Sequence, residues 1–160
     1  MPVSSTTDLF ADIETQLAGL LDGERDLIAN AANCAALLYE RLPDINWAGF
    51  YFLRDGELVV GPFQGRPACV RIPLGRGVCG IAARDRASLR VDDVNEFADH
   101  IACDINSRSE IVVPLVKDGR LLGVLDIDSP SRARFDADDQ AGLERIAARF
   151  VDAVDASINP

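Results

Sequence analysis

The sequence predicts an α+β fold, in which N- and C-terminal helices pack on one face of an antiparallel β-sheet. Apolar residues recur at helical spacing near both ends of the chain, whereas the middle carries runs of strand-forming residues. Two Asp-Gly pairs, Asp55-Gly56 and Asp118-Gly119, each separate two such runs, as the turn of a β-hairpin does. At 160 residues the chain fits one domain with one core. We therefore expect a single domain over 1–160, with helices at about 7–42, sheet and loops at about 46–130, and a last helix at about 136–157.

Two helices are predicted before the sheet. The first spans Thr7–Asp22; Thr7 can cap it, and Gly23 can end its last turn. Its apolar stripe consists of Leu9, Phe10, Ile13, Leu17, Leu20 and Leu21. The second helix spans about Glu24–Leu42 and stops before Pro43, because the residue before a proline disfavours helical backbone. Cys34 lies in it among alanines and leucines, which indicates a core position.

The middle of the chain alternates strands with irregular segments. The predicted strands are Asn46–Leu53, Glu57–Gln64, Ser88–Val91, Glu110–Val116 and Arg120–Ile127. The glycine and prolines of Gly65–Pro73 predict an irregular loop, and Gly75–Arg84 is predicted to be a short helix entered through a glycine-rich turn. The last helix opens near Asp136, with acids at its positive end. Its apolar stripe consists of Leu143, Ile146, Ala147, Phe150, Val151 and Val154.

The composition and charge of the chain argue against several classes of function. A net charge of −10 argues against binding to nucleic acid or to anionic membranes, which requires basic patches. No apolar run reaches the length of a membrane span, and the N-terminus lacks the regions of a signal peptide. We therefore expect a cytoplasmic protein, in which structural disulfides are rare. Its four cysteines, at positions 34, 69, 79 and 103, should then be buried, metal-bound or redox-active.

Alternation along the strands sorts their side chains onto two faces of the sheet. One face is apolar and should pack on the helices: Ala48, Phe50, Phe52, Ile111, Val113, Leu115, Leu121, Gly123, Leu125 and Ile127. The opposite face carries two aromatics and three acids: Trp47, Tyr51, Glu110, Asp126 and Asp128. Gly49 should leave room between the two rings. Neighbouring carboxylates repel when ionised, so we expect at least one to stay protonated, which suits a cationic ligand or a general acid. Ordinary packing of the rings and a solvated strand end for the aspartates are the alternatives.

Three cysteines lie outside the predicted core helix. Cys69 and Cys103 occupy loops that interrupt the sheet, whereas Cys79 begins a helix, where a thiolate is electrostatically favoured. A zinc site with His100 as fourth ligand is poorly supported, since closely spaced ligand pairs are absent. A redox pair fits better: one thiolate attacks an oxidised substrate and a second thiol then forms a disulfide. His100 could help to hold the thiolate.

These features together resemble one known family. The chain is similar to the free methionine-(R)-sulfoxide reductases, which are built on a single GAF domain, and three cysteines in these surroundings distinguish that family from ordinary GAF domains. The resemblance runs from about Asn46 to Pro130. It rests on the stretches Asn46–Tyr51, Gly61–Gly65, Ala68–Pro73, Gly75–Gly80, His100–Asp104, Ser109–Pro114 and Gly123–Pro130.

The resemblance implies a role for each candidate site residue. Cys103 matches the catalytic nucleophile, Cys69 its resolving partner, and Cys79 a less essential cysteine that acts in later disulfide exchange. Trp47 and Tyr51 match residues that hold the methyl-sulfoxide end of the substrate. The carboxylates that would bind the amino group and the sulfoxide are Glu110, Asp126 and Asp128.

The implied activity is the reduction of free L-methionine-(R)-S-oxide to methionine, through a sulfenic acid and an intramolecular disulfide that thioredoxin recycles. No metal and no other cofactor is implied, and neither nucleic acid nor a membrane is an expected partner. The loop Gly65–Pro73 and the Cys103 loop should form a lid over the ligand pocket. The outer helices could support a homodimer. The alternatives are a non-catalytic GAF module that senses a small ligand or redox state, and a thiol switch acting on a protein partner.

Overall fold

The computed structural model describes residues 4–101, 103 and 105–155. The strands in this part of the chain are β1 (Trp47–Arg54), β2 (Glu57–Gly65), β3 (Arg71–Pro73), β4 (Leu89–Val91), β5 (Ser109–Lys117) and β6 (Arg120–Ser129). The helices are α1 (Thr6–Leu21), α2 (Leu27–Arg41), α3 (Gly77–Asp85) and α4 (Ala137–Ala153). The described strands form one sheet in the order β3-β2-β1-β6-β5-β4, in which every pair is antiparallel. The predicted α+β class is confirmed.

Both predicted hairpins form, and for the predicted reason. Asp55 and Gly56 have φ values of 50° and 80°, and Asp118 and Gly119 have 51° and 75°. A two-residue turn with positive φ at both positions twists in the same sense as the strands it joins. Aspartate and glycine tolerate this backbone, so local chemistry alone decides where β1 turns into β2 and β5 into β6.

Side chains determine where the terminal helices begin and end. The cap of α1 is Ser5, two residues before the predicted Thr7, because the Ser5 hydroxyl accepts a hydrogen bond from the backbone N–H of Asp8 at 3.1 Å. Helix α4 ends at Ala153, short of the predicted end at about 157. Lys117 Nζ donates to the carbonyl oxygens of Val151 at 3.0 Å and Val154 at 2.7 Å, which satisfies the end of the helix. Residues 156 and 157 lie outside the described residues.

The apolar face of the sheet packs on α2 and α4, and α1 packs on these two helices, so the helices share one face of the sheet as predicted. Its one misassigned residue is Leu121, which belongs to the hydrophobic cluster on the opposite face, whereas Leu122 packs toward the helices. The cause is a bulge: Leu115 pairs with Gly123 and Val116 with Leu121, so one residue is skipped. A Cβ atom on Gly123 would overlap the carbonyl oxygen of Tyr51, so this position requires glycine.

A short strand replaces part of the loop predicted over Gly65–Pro73. Strand β3 pairs with the start of β2, with Ile72 opposite Leu58. Both side chains are buried in the cluster on the face opposite the helices. Burial of Ile72 therefore draws this segment onto the sheet edge despite its proline, which an edge position tolerates.

Substitution of two helical glycines by alanine should change the free energy of unfolding in opposite directions. A Cβ on Gly142 of α4 would overlap the ring of Phe10 in α1, whereas a Cβ on Gly19 of α1 would have no atom within 4 Å. Gly142→Ala should lower the free energy of unfolding by about 1–3 kcal/mol, because the two helices must separate. Gly19→Ala should raise it by about 0.5–1 kcal/mol through helix propensity. Denaturant unfolding of both variants checks this, and equal stabilities would contradict the close contact of α1 and α4.

None of the helices in the described residues is both long enough and apolar enough to cross a membrane.

Candidate active site

A pocket of about 560 Å³, part of it open to solvent, lies on the sheet face opposite α1, α2 and α4. The residues lining it come from β1, β3, β5 and β6, from the start of α3 and from two loops: Trp47, Tyr51, Arg66, Pro67, Ala68, Ile72, Gly77, Val78, Cys79, His100, Ile101, Cys103, Ser107, Glu110, Asp126 and Asp128. Seven of the eight residues predicted for the site line it, and Cys69 is bonded to one of them.

The aromatic pair forms one wall and also holds a loop in place. The rings of Trp47 and Tyr51 stack with their centroids 5.8 Å apart. Trp47 Nε1 donates to the carbonyl oxygen of Arg66 at 3.2 Å, and the Tyr51 hydroxyl donates to the carbonyl oxygen of Cys69 at 3.2 Å. The two residues thus position the backbone that carries Cys69.

Gly49 does not leave open space between these rings, contrary to expectation. A Cβ at this position would overlap Phe63 of the adjacent β2 strand. Phe63 stacks on Trp47 at a centroid distance of 5.1 Å, so it supports the aromatic wall from behind. Strict alternation from Leu58 and Val60 would have placed Phe63 on the opposite face of β2. The bulge between Gly49 and Tyr51 adds one residue to β2 and so turns Phe63 onto the pocket face.

A disulfide joins Cys69 and Cys103 across the two loops, with a Cα–Cα distance of 5.4 Å. This separation lies within the ordinary range for disulfides. Cys103 also lines the pocket, so the bond closes one side of it. The pairing that the family resemblance implied is therefore the pairing found.

The Cys103 loop is attached to the start of α3. Asp99 accepts a hydrogen bond from Arg76 Nε at 2.9 Å and another from the backbone N–H of Gly77 at 3.3 Å. The pKa of Asp99 is lowered, chiefly by its hydrogen bond to Arg76. Ile101 packs against Gly77, where an added Cβ would come within 3.2 Å of its side chain. Ala102 and Asp104 of this motif lie outside the described residues.

A second anchor holds both ends of the same loop. The Val94 N–H donates to the carbonyl oxygen of Arg108 at 2.7 Å, which brings the ends together. The buried Asp93 carboxylate accepts from Arg132 Nε at 2.9 Å and lies 3.6 Å from Arg108 Nη2. Hydrogen bonding to Arg132 lowers the pKa of Asp93. Neither anchor was predicted, because the partners lie far apart in the chain.

The three predicted carboxylates meet at one end of the sheet. Glu110 on β5 pairs with Asp128 on β6, and Asp126 lies two residues along β6 on the same face. Burial, with the charge of Asp126, raises the pKa of Glu110 well above the ordinary glutamate value. Burial, with the charge of Asp128, raises the pKa of Asp126 in the same way. The expectation that a carboxyl stays protonated at neutral pH therefore agrees with these pKa directions.

One of these carboxylates keeps an unused acceptor. Asp126 Oδ1 is fully buried and has no hydrogen-bond partner among the described residues. Asp126 lines the pocket, so a ligand with N–H donors or positive charge could reach it. An unpaired buried oxygen is destabilising by about 1–3 kcal/mol, so a ligand that donates to it would recover this free energy.

The environment of Cys79 contradicts the thiolate expected at the start of a helix. Cys79 is buried, with Sγ 3.8 Å from Glu110 Oε2. Burial raises the pKa of its thiol, and so do the charges of Asp126 and Glu110. Burial, together with the carboxylates from the neighbouring strands, outweighs the favourable end of α3, so the neutral thiol form of Cys79 is favoured.

The neutral forms of Tyr51 and His100 are also favoured in this pocket. Burial is the main cause that raises the pKa of Tyr51, and the nearby carboxylates add to it. Burial lowers the pKa of His100, which lines the pocket. A neutral imidazole stabilises a thiolate less than an imidazolium would, so the support expected from His100 for the Cys103 thiolate is weakened.

Cys34, by contrast, lies in the helix-side core, where burial raises its pKa to about 12.

Comparison with known proteins identifies the family. The GAF domain family model matches residues 12–154. The chain is 53% identical over 144 residues to the free methionine-R-sulfoxide reductase of Escherichia coli, covering 90% of this chain and 87% of the relative. It is 46% identical over 137 residues to the free methionine-R-sulfoxide reductase of Saccharomyces cerevisiae, covering 81% and 76% respectively.

A solved structure agrees with both relatives. The free methionine-R-sulfoxide reductase from Neisseria meningitidis, solved in complex with its substrate, superposes with a TM-score of 0.91 at 44% identity, covering 96% of this chain and 92% of that one. The chain therefore belongs to the GAF-domain family and, within it, to the free methionine-R-sulfoxide reductases, which are oxidoreductases.

Proposed function

We propose that this protein reduces free methionine-(R)-sulfoxide to methionine, with Cys103 as the nucleophile. The observation that carries the proposal is the Cys69–Cys103 disulfide at the edge of a pocket lined by aromatic rings and buried carboxylates. Such a bond is the expected oxidised product of a two-thiol reductase. Three relatives carry the reductase name, and one of them was solved with its substrate bound, which supports the same activity here.

The pocket offers a separate environment for each end of the amino acid. The ammonium group would lie against Asp126 and Asp128, where the unpaired Asp126 Oδ1 supplies an acceptor. The α-carboxylate would face Arg66 and the first turn of α3, which are the positive part of the described lining. The methyl-sulfoxide end would rest against the Trp47 and Tyr51 rings. A peptide-bound methionine lacks both charged groups, so this arrangement selects the free amino acid.

The first chemical step transfers the sulfoxide oxygen to the enzyme. The Cys103 thiolate attacks the electrophilic sulfur of the substrate, and a protonated carboxyl supplies a proton to the sulfoxide oxygen. The oxygen moves to Cys103, methionine leaves, and Cys103 becomes a sulfenic acid. Two electrons pass from the cysteine sulfur to the methionine sulfur. Glu110 is the proposed donor, because burial and the charge of Asp126 raise its pKa and so favour its protonated form.

The second step forms the disulfide. The Cys69 thiol attacks the sulfenic sulfur, the S–S bond forms and the oxygen leaves as water. Tyr51 holds the Cys69 backbone and Asp99 holds the Cys103 loop, so both sulfurs are presented to each other. A dithiol of the thioredoxin type then reduces the disulfide, with Cys79 available for exchange. We propose the cytoplasm as the location of this cycle, since it supplies such reductants.

A recycling assay tests the proposal. Purified protein, thioredoxin, thioredoxin reductase and NADPH are mixed with the R epimer of free methionine sulfoxide, with the S epimer, or with N-acetylated R epimer. NADPH should be consumed with the free R epimer and far more slowly with the other two, because N-acetylation removes the positive charge. Cys34→Ala is the matched control and should match the wild type. Binding of the R epimer with no NADPH consumption would instead favour a non-catalytic sensor module.

A further inference from the structure

Three potential metal ligands converge in the pocket wall. Cys79 Sγ, a Glu110 carboxylate oxygen and an Asp126 carboxylate oxygen all lie within 4.8 Å of one another, and all three residues are buried. Among the described residues, this is the group of three or more such side chains that could hold an ion. The three come from α3, β5 and β6, so the packing of these elements assembles the group.

A second observation points to a ligand site at the same place. Asp126 Oδ1 is fully buried, lines the pocket and has no hydrogen-bond partner in the described part of the chain. Its neighbours are a thiol and a carboxyl group, 3.8 Å apart, that contact each other without using this oxygen. A bound cation would satisfy the unpaired oxygen and the two neighbouring groups together.

We propose that the disulfide form of this protein binds one divalent cation of the Zn²⁺ type through Cys79 Sγ, Glu110 and Asp126. One sulfur and two oxygen ligands suit Zn²⁺, whereas Mg²⁺ and Ca²⁺ prefer oxygen ligands alone. Water or a further oxygen completes the tetrahedron. With bond lengths of about 2.3 Å to sulfur and about 2.1 Å to oxygen, the ligand atoms must close by roughly 1 Å. The cation enters as the thiol and carboxyl protons leave to solvent.

The site does not depend on the redox pair. In the disulfide form neither Cys69 nor Cys103 has a free thiol, so neither can supply a thiolate ligand. The cation would occupy the carboxylates proposed for the substrate ammonium, so cation and amino acid should exclude each other. The metal site itself stands without the proposed reaction, because it rests only on these three side chains.

Calorimetry on the oxidised, tag-free protein tests the site. Zn²⁺ is titrated at physiological ionic strength in the presence of excess Mg²⁺, which occupies sites made of oxygen alone. We expect one Zn²⁺ per chain. Cys79→Ser and Asp126→Asn should each weaken binding by at least about 100-fold, more than loss of an outer-shell partner does. Circular dichroism and the intact disulfide establish that each variant is folded. If one variant does not fold, the other still tests the site.

Two controls separate this site from other ligands. Cys34→Ala removes the other free thiol, which lies in the helix-side core, and His100→Gln removes the single histidine; both should bind Zn²⁺ as the wild type does. With Co²⁺, a thiolate-to-cobalt charge-transfer band should appear and should vanish in Cys79→Ser. Absence of wild-type binding, a band that persists in Cys79→Ser, or loss of binding in His100→Gln would overturn the proposal. Since no step measures turnover, failure here leaves the reductase test unaffected.

Discussion

Cys103→Ser should fail to reduce even one equivalent of free methionine-(R)-sulfoxide. A serine hydroxyl is not ionised at neutral pH and cannot form a sulfenic acid, so the oxygen has no acceptor. Loss of a covalent nucleophile lowers turnover on the order of 10⁵-fold or more. Reduced enzyme is mixed with one equivalent of substrate, quenched, and analysed for methionine. Steady turnover by Cys103→Ser would show that another residue is the nucleophile.

Cys69→Ser provides the matched comparison, since it removes the other sulfur of the same disulfide. Each chain should form one methionine and then stop, because Cys103 remains as a sulfenic acid that a carbon nucleophile such as dimedone can trap. Cys34→Ala should behave as the wild type in both assays, because Cys34 lies in the opposite core. If Cys69→Ser recycles at the wild-type rate, Cys79 rather than Cys69 resolves the sulfenic acid.

Glu110→Gln should lower kcat/KM by about 10²–10⁴-fold, the range expected for loss of a general acid. The amide keeps the shape of the side chain but cannot give a proton to the sulfoxide oxygen. Since the pKa of Glu110 is raised, the wild type should lose activity as pH rises through that value. The variant should lack this alkaline decline. An unchanged pH profile in Glu110→Gln would instead assign the role of proton donor to Asp126 or Asp128. The control is substitution of the exposed Glu144, which should leave kcat/KM and the pH profile as in the wild type.

Glu110→Gln should also change how the free energy of unfolding depends on pH. Folded Glu110 holds its proton more tightly than the unfolded chain does, because burial penalises the carboxylate. The folded state therefore loses stability as pH rises above the unfolded glutamate pKa of about 4.3, up to the folded pKa. Glu110→Gln removes that loss, so its stability relative to the wild type should increase between about pH 5 and about pH 8. Denaturant unfolding at the two pH values measures this and also establishes that the variant is folded.

Local chemistry was enough to predict most of the framework. The two Asp-Gly turns follow from the backbone freedom of these residues, and the helix-facing core of the sheet follows from the alternation of side chains along a strand. The same alternation predicts Glu110 and Asp126 on one face with Trp47, and all three residues line the pocket. It failed at Leu121, because a bulge changes register and only the pairing of β5 with β6 produces the bulge.

The sequence by itself determined the fold class, the two faces of the sheet apart from Leu121, and the strand residues that line the pocket, which are Trp47, Tyr51, Glu110, Asp126 and Asp128. These features depend on the period of a strand or helix, which the backbone geometry of neighbouring residues sets. Only the tertiary structure decided that burial raises the pKa of Cys79, that Asp93 and Asp99 hold the Cys103 loop, and that Asp126 Oδ1 has no hydrogen-bond partner within the described part of the chain. Burial, charge–charge interaction and hydrogen bonding depend on distances between residues far apart in the chain, and no local pattern contains those distances.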